Sequence, residues 1–344
     1  MGDVDINFSD GVRQLYMPSL NTVSKTVVGL REWLGKSSNF IPNSVGRTDA
    51  VELVLYDSLE ALSAIAGDII RLSSASLETA RNISIPHINR RFLAWKMVEK
   101  YYSAFYSAHC LLKICNMGLT QIDARIIANI QARAGVSGIT IENLSSGLYC
   151  VKYVQAQSKL VLFKVKRYDD SHRGLWNRYA DYISILRGTS IETTNIDATC
   201  VRLRSPGEPA PLSVYEQLGL SDAQVIDDCL ESIQKTLNQR GDNNWLSYIR
   251  NSINYNHSFG IWYPYKDYLD EYDSSFLTEY LHISNPLSQN LEILATDVDI
   301  IKFTKCCNKI NAMCLNLVED LSIRHPENKS FLINGPLSYA KLYC

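Results

Sequence analysis

At 344 residues, 46% of them apolar and 20% charged, the chain can fill two domains or one domain with a large insertion, and its balance argues against a disordered or fibrous protein. A formal net charge of -2 excludes a global positive field, so any nucleic-acid contact must rest on a local basic patch. The nine cysteines are odd in number and form no C-x-x-C pair, which argues against zinc and against a disulfide framework.

The first residues, MGDVDINFSDG, place acids where a secretory signal needs basic residues followed by an apolar run. No run of about 18 apolar residues occurs, so the chain reads as cytoplasmic and without a membrane span. Leu55, Ser58, Leu62, Ile65, Ile69 and Leu72 recur at three- and four-residue steps, predicting a helix from near Thr48 to near Ser74. The same rhythm runs from Arg91 to Asn116 through Val98, Tyr101, Phe105, Ala108, Leu112 and Cys115, with Gly118 as the expected stop.

Between about Gly135 and Arg204 the period drops to two, because Val161, Phe163 and Val165 alternate with Leu162, Lys164 and Lys166, and Val201 and Leu203 with arginines. Ser205 to Pro211 reads as a loop. A helix is then expected from a capping box at Ser221 to Gln224 through Ile226, Leu230, Ile233 and Leu237, followed by one from about Asn243 to His257. The last stripe, Ile300, Phe303, Cys307, Ile310, Cys314, Leu317 and Leu321, predicts a long helix capped at Thr296 or Asp297. The expected fold is mainly α: a helical segment over residues 1–118, an α+β insertion over 119–220 and a second helical segment over 221–344.

Arg81, Arg90, Arg91, Lys96 and Lys100 form one basic cluster; Lys159, Lys164, Lys166, Arg167, Arg173 and Arg178 form another, with Lys164, Lys166 and Arg167 the candidate RNA contacts. Phosphate-cradling loops, a nucleophile elbow and an H-E-x-x-H pair are all missing. The candidate catalytic residues are Arg250, Asn251 and His257, in WLSYIRNSINYNHSFGIWYPY. Seven helical positions are nearly two whole turns, which would put Arg250 and His257 on one face about 10 Å apart. Arginine offers a fork of donors to a phosphate, and histidine titrates where proton transfer at neutral pH needs it. Arg81, Asn82 and His87 form a rival motif, disfavoured because Pro86 interrupts the helix. A third pair, Arg167 and His172, is set aside because it ends a strand-like run.

Arg250, then the polar Asn251, then His257, with six residues between arginine and histidine, resemble the motif of the HEPN family, which has arginine, a polar residue and a histidine with four to six residues between arginine and histidine. Residues 95–112, WKMVEKYYSAFYSAHCLL, are similar to the aromatic and alanine-rich helix of the first half of HEPN domains. The resemblance covers about a quarter of the chain. It implies a helical bundle interrupted by the 119–220 segment, a homodimer with a composite cleft, and an endoribonuclease of the toxin or antiviral-defence type. By that likeness Arg250 would hold the scissile phosphate, His257 would move the proton, and Asn251 would orient one of them. Glu99 and Tyr102 are weaker candidates beside them.

No carboxylate cluster near Arg250 has metal-ligand spacing, so the expected reaction uses no metal and no cofactor and is driven by attack of the RNA's own 2′-hydroxyl. Expected partners are RNA, a second copy of the chain and a regulatory or antitoxin protein. The alternative is a non-catalytic HEPN-like subunit that binds RNA or protein in a defence complex.

Overall fold

A computed structural model describes residues 7–26, 28–44, 49–84, 93–141, 144–165, 171–189, 212–262 and 299–341. Among these the protein is mainly helical, with one five-stranded antiparallel sheet. No described helix is long and apolar enough to cross a membrane.

After three short 3-10 turns come α1 (Leu30–Lys36), β1 (Phe40–Ser44), β2 (Ala50–Leu55), α2 (Ser58–Ser84) and α3 (Leu93–Ile114). Then follow β3 (Gly118–Ile122), α4 (Ala124–Val136), β4 (Gly147–Val154), β5 (Lys159–Lys164) and α5 (Ser171–Leu186). The last elements are α6 (Val214–Gln217), α7 (Leu220–Leu237), α8 (Trp245–Asn256), α9 (Asp299–Ile323) and α10 (Pro336–Lys341).

Helix α3 is the axis of the helical layer, in contact with α2, α5, α8 and α9. Its sequence explains why neighbours come so close. Ala104, Ala108, Ser103 and Ser107 are buried on it. Ser76 of α2 meets Ser107 Oγ at 2.7 Å, and the Ser103 hydroxyl donates to the Ser76 carbonyl at 3.0 Å. Small side chains allow that approach, and their hydroxyls satisfy one another in a dry seam.

The sheet order is β1-β2-β5-β4-β3, all neighbours antiparallel. The Val161/Phe163 alternation does mark a strand, but Leu160 and Leu162 are buried as well, so this central strand is covered on both faces.

Several expected boundaries are corrected. Helix α2 begins at Ser58 and not near Thr48, because Val51, Leu53 and Leu55 alternate as an inward-facing strand first. It runs on to Ser84. Gly118 opens β3, while α3 is stopped by Asn116 at φ 58°. The capping box lies at Ser213 and Glu216 before α6; α7 is preceded by Gly219 without a side-chain cap. The segment 1–118, expected to be helical, contributes β1, β2 and the first residue of β3 to the same sheet as the strands of 119–220. Thr296, Asp297, Val201 and Leu203 lie outside the described residues.

The first described turns are tied to α9 and the turn that follows it. Ser9 N donates to Asn316 Oδ1 at 2.8 Å, Arg13 pairs with Asp320, and Ser24 Oγ lies 3.0 Å from His325 Nε2.

Candidate active site

Helix α8 buries Leu246, Ile249 and Ile253 completely, and the turn between them carries Ser247 and Arg250 inward. Arg250 is 8% exposed. Its guanidinium lies 5.0 Å from the centre of the Tyr101 ring and 5.7 Å from that of Tyr102, and its Nε has no hydrogen-bond partner. Among the described residues no carboxylate pairs with it. Ring faces stabilise such a cation by about 0.5–2 kcal/mol, well short of what removing a charge from water costs. The position therefore favours an anion that arrives from outside.

Tyr101 joins three elements at one oxygen. Its Oη accepts from Trp176 Nε1 at 3.0 Å and lies 2.8 Å from both His172 Nδ1 and Ser247 Oγ. A phenol has one proton and two lone pairs. With Trp176 donating, a proton given by Nδ1 sends the phenolic proton on to Ser247 and leaves Nε2 with its lone pair. If the phenol donates to Nδ1 instead, Nε2 carries the proton. Burial pushes the Tyr101 phenol up to about 12, against the Ser247 and Trp176 hydrogen bonds and the Arg250 charge, so at neutral pH it keeps its proton and is not an anion.

The His172 ring sits against α3, with centroids 4.4 Å from Phe105, 5.7 Å from Tyr101 and 6.1 Å from Tyr102. His109, on the far side of Phe105 at 4.8 Å, is kept neutral: burial, then the charges of Lys113 and His172, push it down to about 3 against the pull of Asp68.

His257 is placed differently from the expectation. Helix α8 ends at Asn256, and His257 is its left-handed C-cap at φ 51°, so it does not share a helical face with Arg250. Its exposed ring stacks on Trp262 at 5.2 Å. Asn251 is exposed beside the buried Arg250, and Glu99 is half-buried one turn before Tyr102. Arg81 and Asn82 are exposed in the last turn of α2; His87 lies outside the described residues.

Of the candidate RNA contacts, Lys164 ends β5 and donates to Ser145 Oγ at 2.6 Å, while Lys166 and Arg167 lie outside the described residues. Lys100 and Arg178, counted in the basic clusters, are buried, and Lys159 pairs with Glu52 at 2.5 Å, so neither cluster is a continuous solvated surface.

Ser247 and Trp176 were not singled out by the sequence, and His172 stands there only as half of the Arg167 pair, set aside as the end of a strand-like run, whereas it lies in the first turn of α5. His172 and Trp176 are four residues apart, a one-face helical spacing that signals a shared partner once His172 is read as opening a helix. Among the described residues no group of three His, Cys, Asp or Glu side chains could hold a metal ion. Comparison with protein-family models, curated proteins and solved structures found no match for the chain.

Proposed function

We propose that the chain is an endoribonuclease that resembles the HEPN kind in its Arg250 helix but departs from that motif in its histidine, with Arg250 on the scissile phosphate, His172 as the proton-transfer residue and Tyr101 as the group that sets the His172 tautomer. One observation carries the reading: a buried guanidinium that has no acidic partner among the described residues shares the Tyr101 ring with an imidazole whose Nδ1 is held by the same phenol. A phosphate needs the first, and in-line attack by a neighbouring hydroxyl needs the second.

In the reaction His172 takes the proton of the 2′-hydroxyl or gives one to the departing 5′-oxygen. Arg250 stabilises the charge that builds on phosphorus, each effect being of the order of 10²–10⁴-fold. The products are a 2′,3′-cyclic phosphate and a free 5′-hydroxyl. Cleavage should persist in EDTA and fail on a strand with one 2′-deoxy sugar at the cut.

The test is a labelled RNA incubated with the wild type, Arg250→Ala, His172→Ala and His257→Ala. Cutting by the wild type and His257→Ala only is the expected pattern. Loss in His257→Ala with survival in His172→Ala would return the proton transfer to His257. RNA bound but uncut by the wild type would leave the non-catalytic subunit. As a defence-type effector, the wild type should arrest cells that express it, and His172→Ala should relieve the arrest. A homodimer by light scattering is expected from the same resemblance.

A further inference from the structure

Two helical turns from Arg250's aromatic bed, the protein holds a second aromatic group. Trp95, in the first turn of α3, is 52% exposed. Its ring meets Trp262 edge-on at 5.9 Å and 74°, forming two walls of a corner. Trp262 is fixed: its indole N–H donates to the Ile253 carbonyl at 2.6 Å, and His257 stacks on it at 26°. Trp95 leaves about half of its surface to solvent while packing edge-on against the anchored Trp262, an arrangement suited to receive a flat ring.

The corner and Arg250 lie along one face. Trp95, Tyr102 and Tyr106 fall within roughly 40° on α3, and Trp95 to Tyr102 is about 10 Å along the axis, the reach of two or three stacked nucleotides. Tyr102 lies under the Arg250 guanidinium and meets Tyr106 at 6.3 Å. Glu99 falls between Trp95 and Tyr102, within electrostatic reach of Lys96.

We propose that the Trp95/Trp262 corner, with the Trp95 face as its platform, is a stacking subsite for an unpaired nucleobase two or three nucleotides from the phosphate held by Arg250. The inference rests on the ribonuclease reading for its ligand. The subsite binds any base through its π-face and gives no grip to a duplex, whose bases are covered.

The experiment measures fluorescence anisotropy with a dye-labelled 2′-O-methyl RNA of about eight nucleotides, which cannot be cut, and with its duplex. Stacking on one ring predicts that Trp95→Ala weakens single-strand binding about 5- to 150-fold, that Trp95→Phe restores most of it, and that the duplex binds far more weakly to every form. Because Trp95 is half exposed, its removal should leave the melting temperature unchanged. Equal affinity of wild type and Trp95→Ala, or equal binding of strand and duplex, would overturn the subsite. So would a fall in molecular mass on Trp95→Ala, which assigns the corner to a second copy of the chain. Trp95-dependent binding without any cutting of ordinary RNA would fail the nuclease reading alone; cutting with binding indifferent to Trp95 would fail the subsite alone.

Discussion

Tyr101 brings one oxygen to three polar side chains, so Tyr101→Phe leaves the Trp176 N–H, Ser247 and His172 Nδ1 without their shared partner at a cost of about 1–3 kcal/mol for a buried group left unpaired. If the phenol sets the His172 tautomer, kcat should fall at least about tenfold with KM little changed, and the acidic limb of the pH profile should move. A uniform fall in kcat with the profile unmoved would make Tyr101 a packing residue only. Asp181 gives a separate residue-scale test. Burial raises its carboxyl to about 7 although Arg178 lies 3.7 Å away and pulls it down. The folded chain then holds a proton that the unfolded chain releases above its ordinary carboxylate range, near 3.9. Stability from this group is complete below that range and is lost as pH climbs through about 7. Asp181→Asn keeps the neutral shape, so urea midpoints of the two proteins should agree near pH 4 and separate by pH 8, the variant being the more stable. Curves that stay parallel would show that Asp181 ionises normally. The sequence could place Arg250 on a helix, but not its aromatic surroundings or the Tyr101–His172 contact, which spans 71 residues, because nothing local says which helix will cross which.

At the level of single elements, periodicity told the truth about interiors and misled about ends. The stripe from Val98 to Leu112 is buried on α3 as expected, apart from the half-buried Phe105, since a 3.6-residue repeat of apolar side chains packs one face of a helix against the core. The ends depend on single residues with specific backbone needs. Asn116 closes α3 in the left-handed region, and its side chain then behaves as an extra strand residue, accepting from Tyr153 N at 2.7 Å and donating to Tyr153 O at 2.9 Å. Glycine suits that backbone better than asparagine. Asn116→Gly should nevertheless destabilise by about 1–3 kcal/mol, because two strand-edge groups of β4 lose their partners. Urea unfolding decides the sign, and a stabilised variant would show that the φ angle outweighs the side-chain pairing. His257 is the same lesson at the candidate site. Read as helix, it faces Arg250; as the left-handed cap of α8 it turns to Trp262.

Across the whole molecule, the change of period near residue 135 announced strands without saying where their partners lie. In the structure β5 pairs with β2 on one side and β4 on the other, so the sheet is closed only when strands from before and after α3 meet. The 119–220 segment also supplies α5, and with it Trp176, Tyr179, Tyr182 and Ile183, all fully buried. A segment appended to a self-sufficient helical domain could be removed with little loss; one that completes its core could not. Burying side chains of this size contributes roughly 1.5–3 kcal/mol each, and Leu160 and Leu162 of β5 are also fully buried, so the segment's share is as large as a typical net stability of about 5–15 kcal/mol. Joining residue 118 to 221 through a short flexible linker should therefore give a chain without a cooperative thermal transition. It should also lack RNA cleavage, because His172 and Trp176 leave with α5. Circular dichroism during heating is the check. A sharp melt of the shortened chain would establish that the helices form an independent domain and that the sheet is an accessory to it.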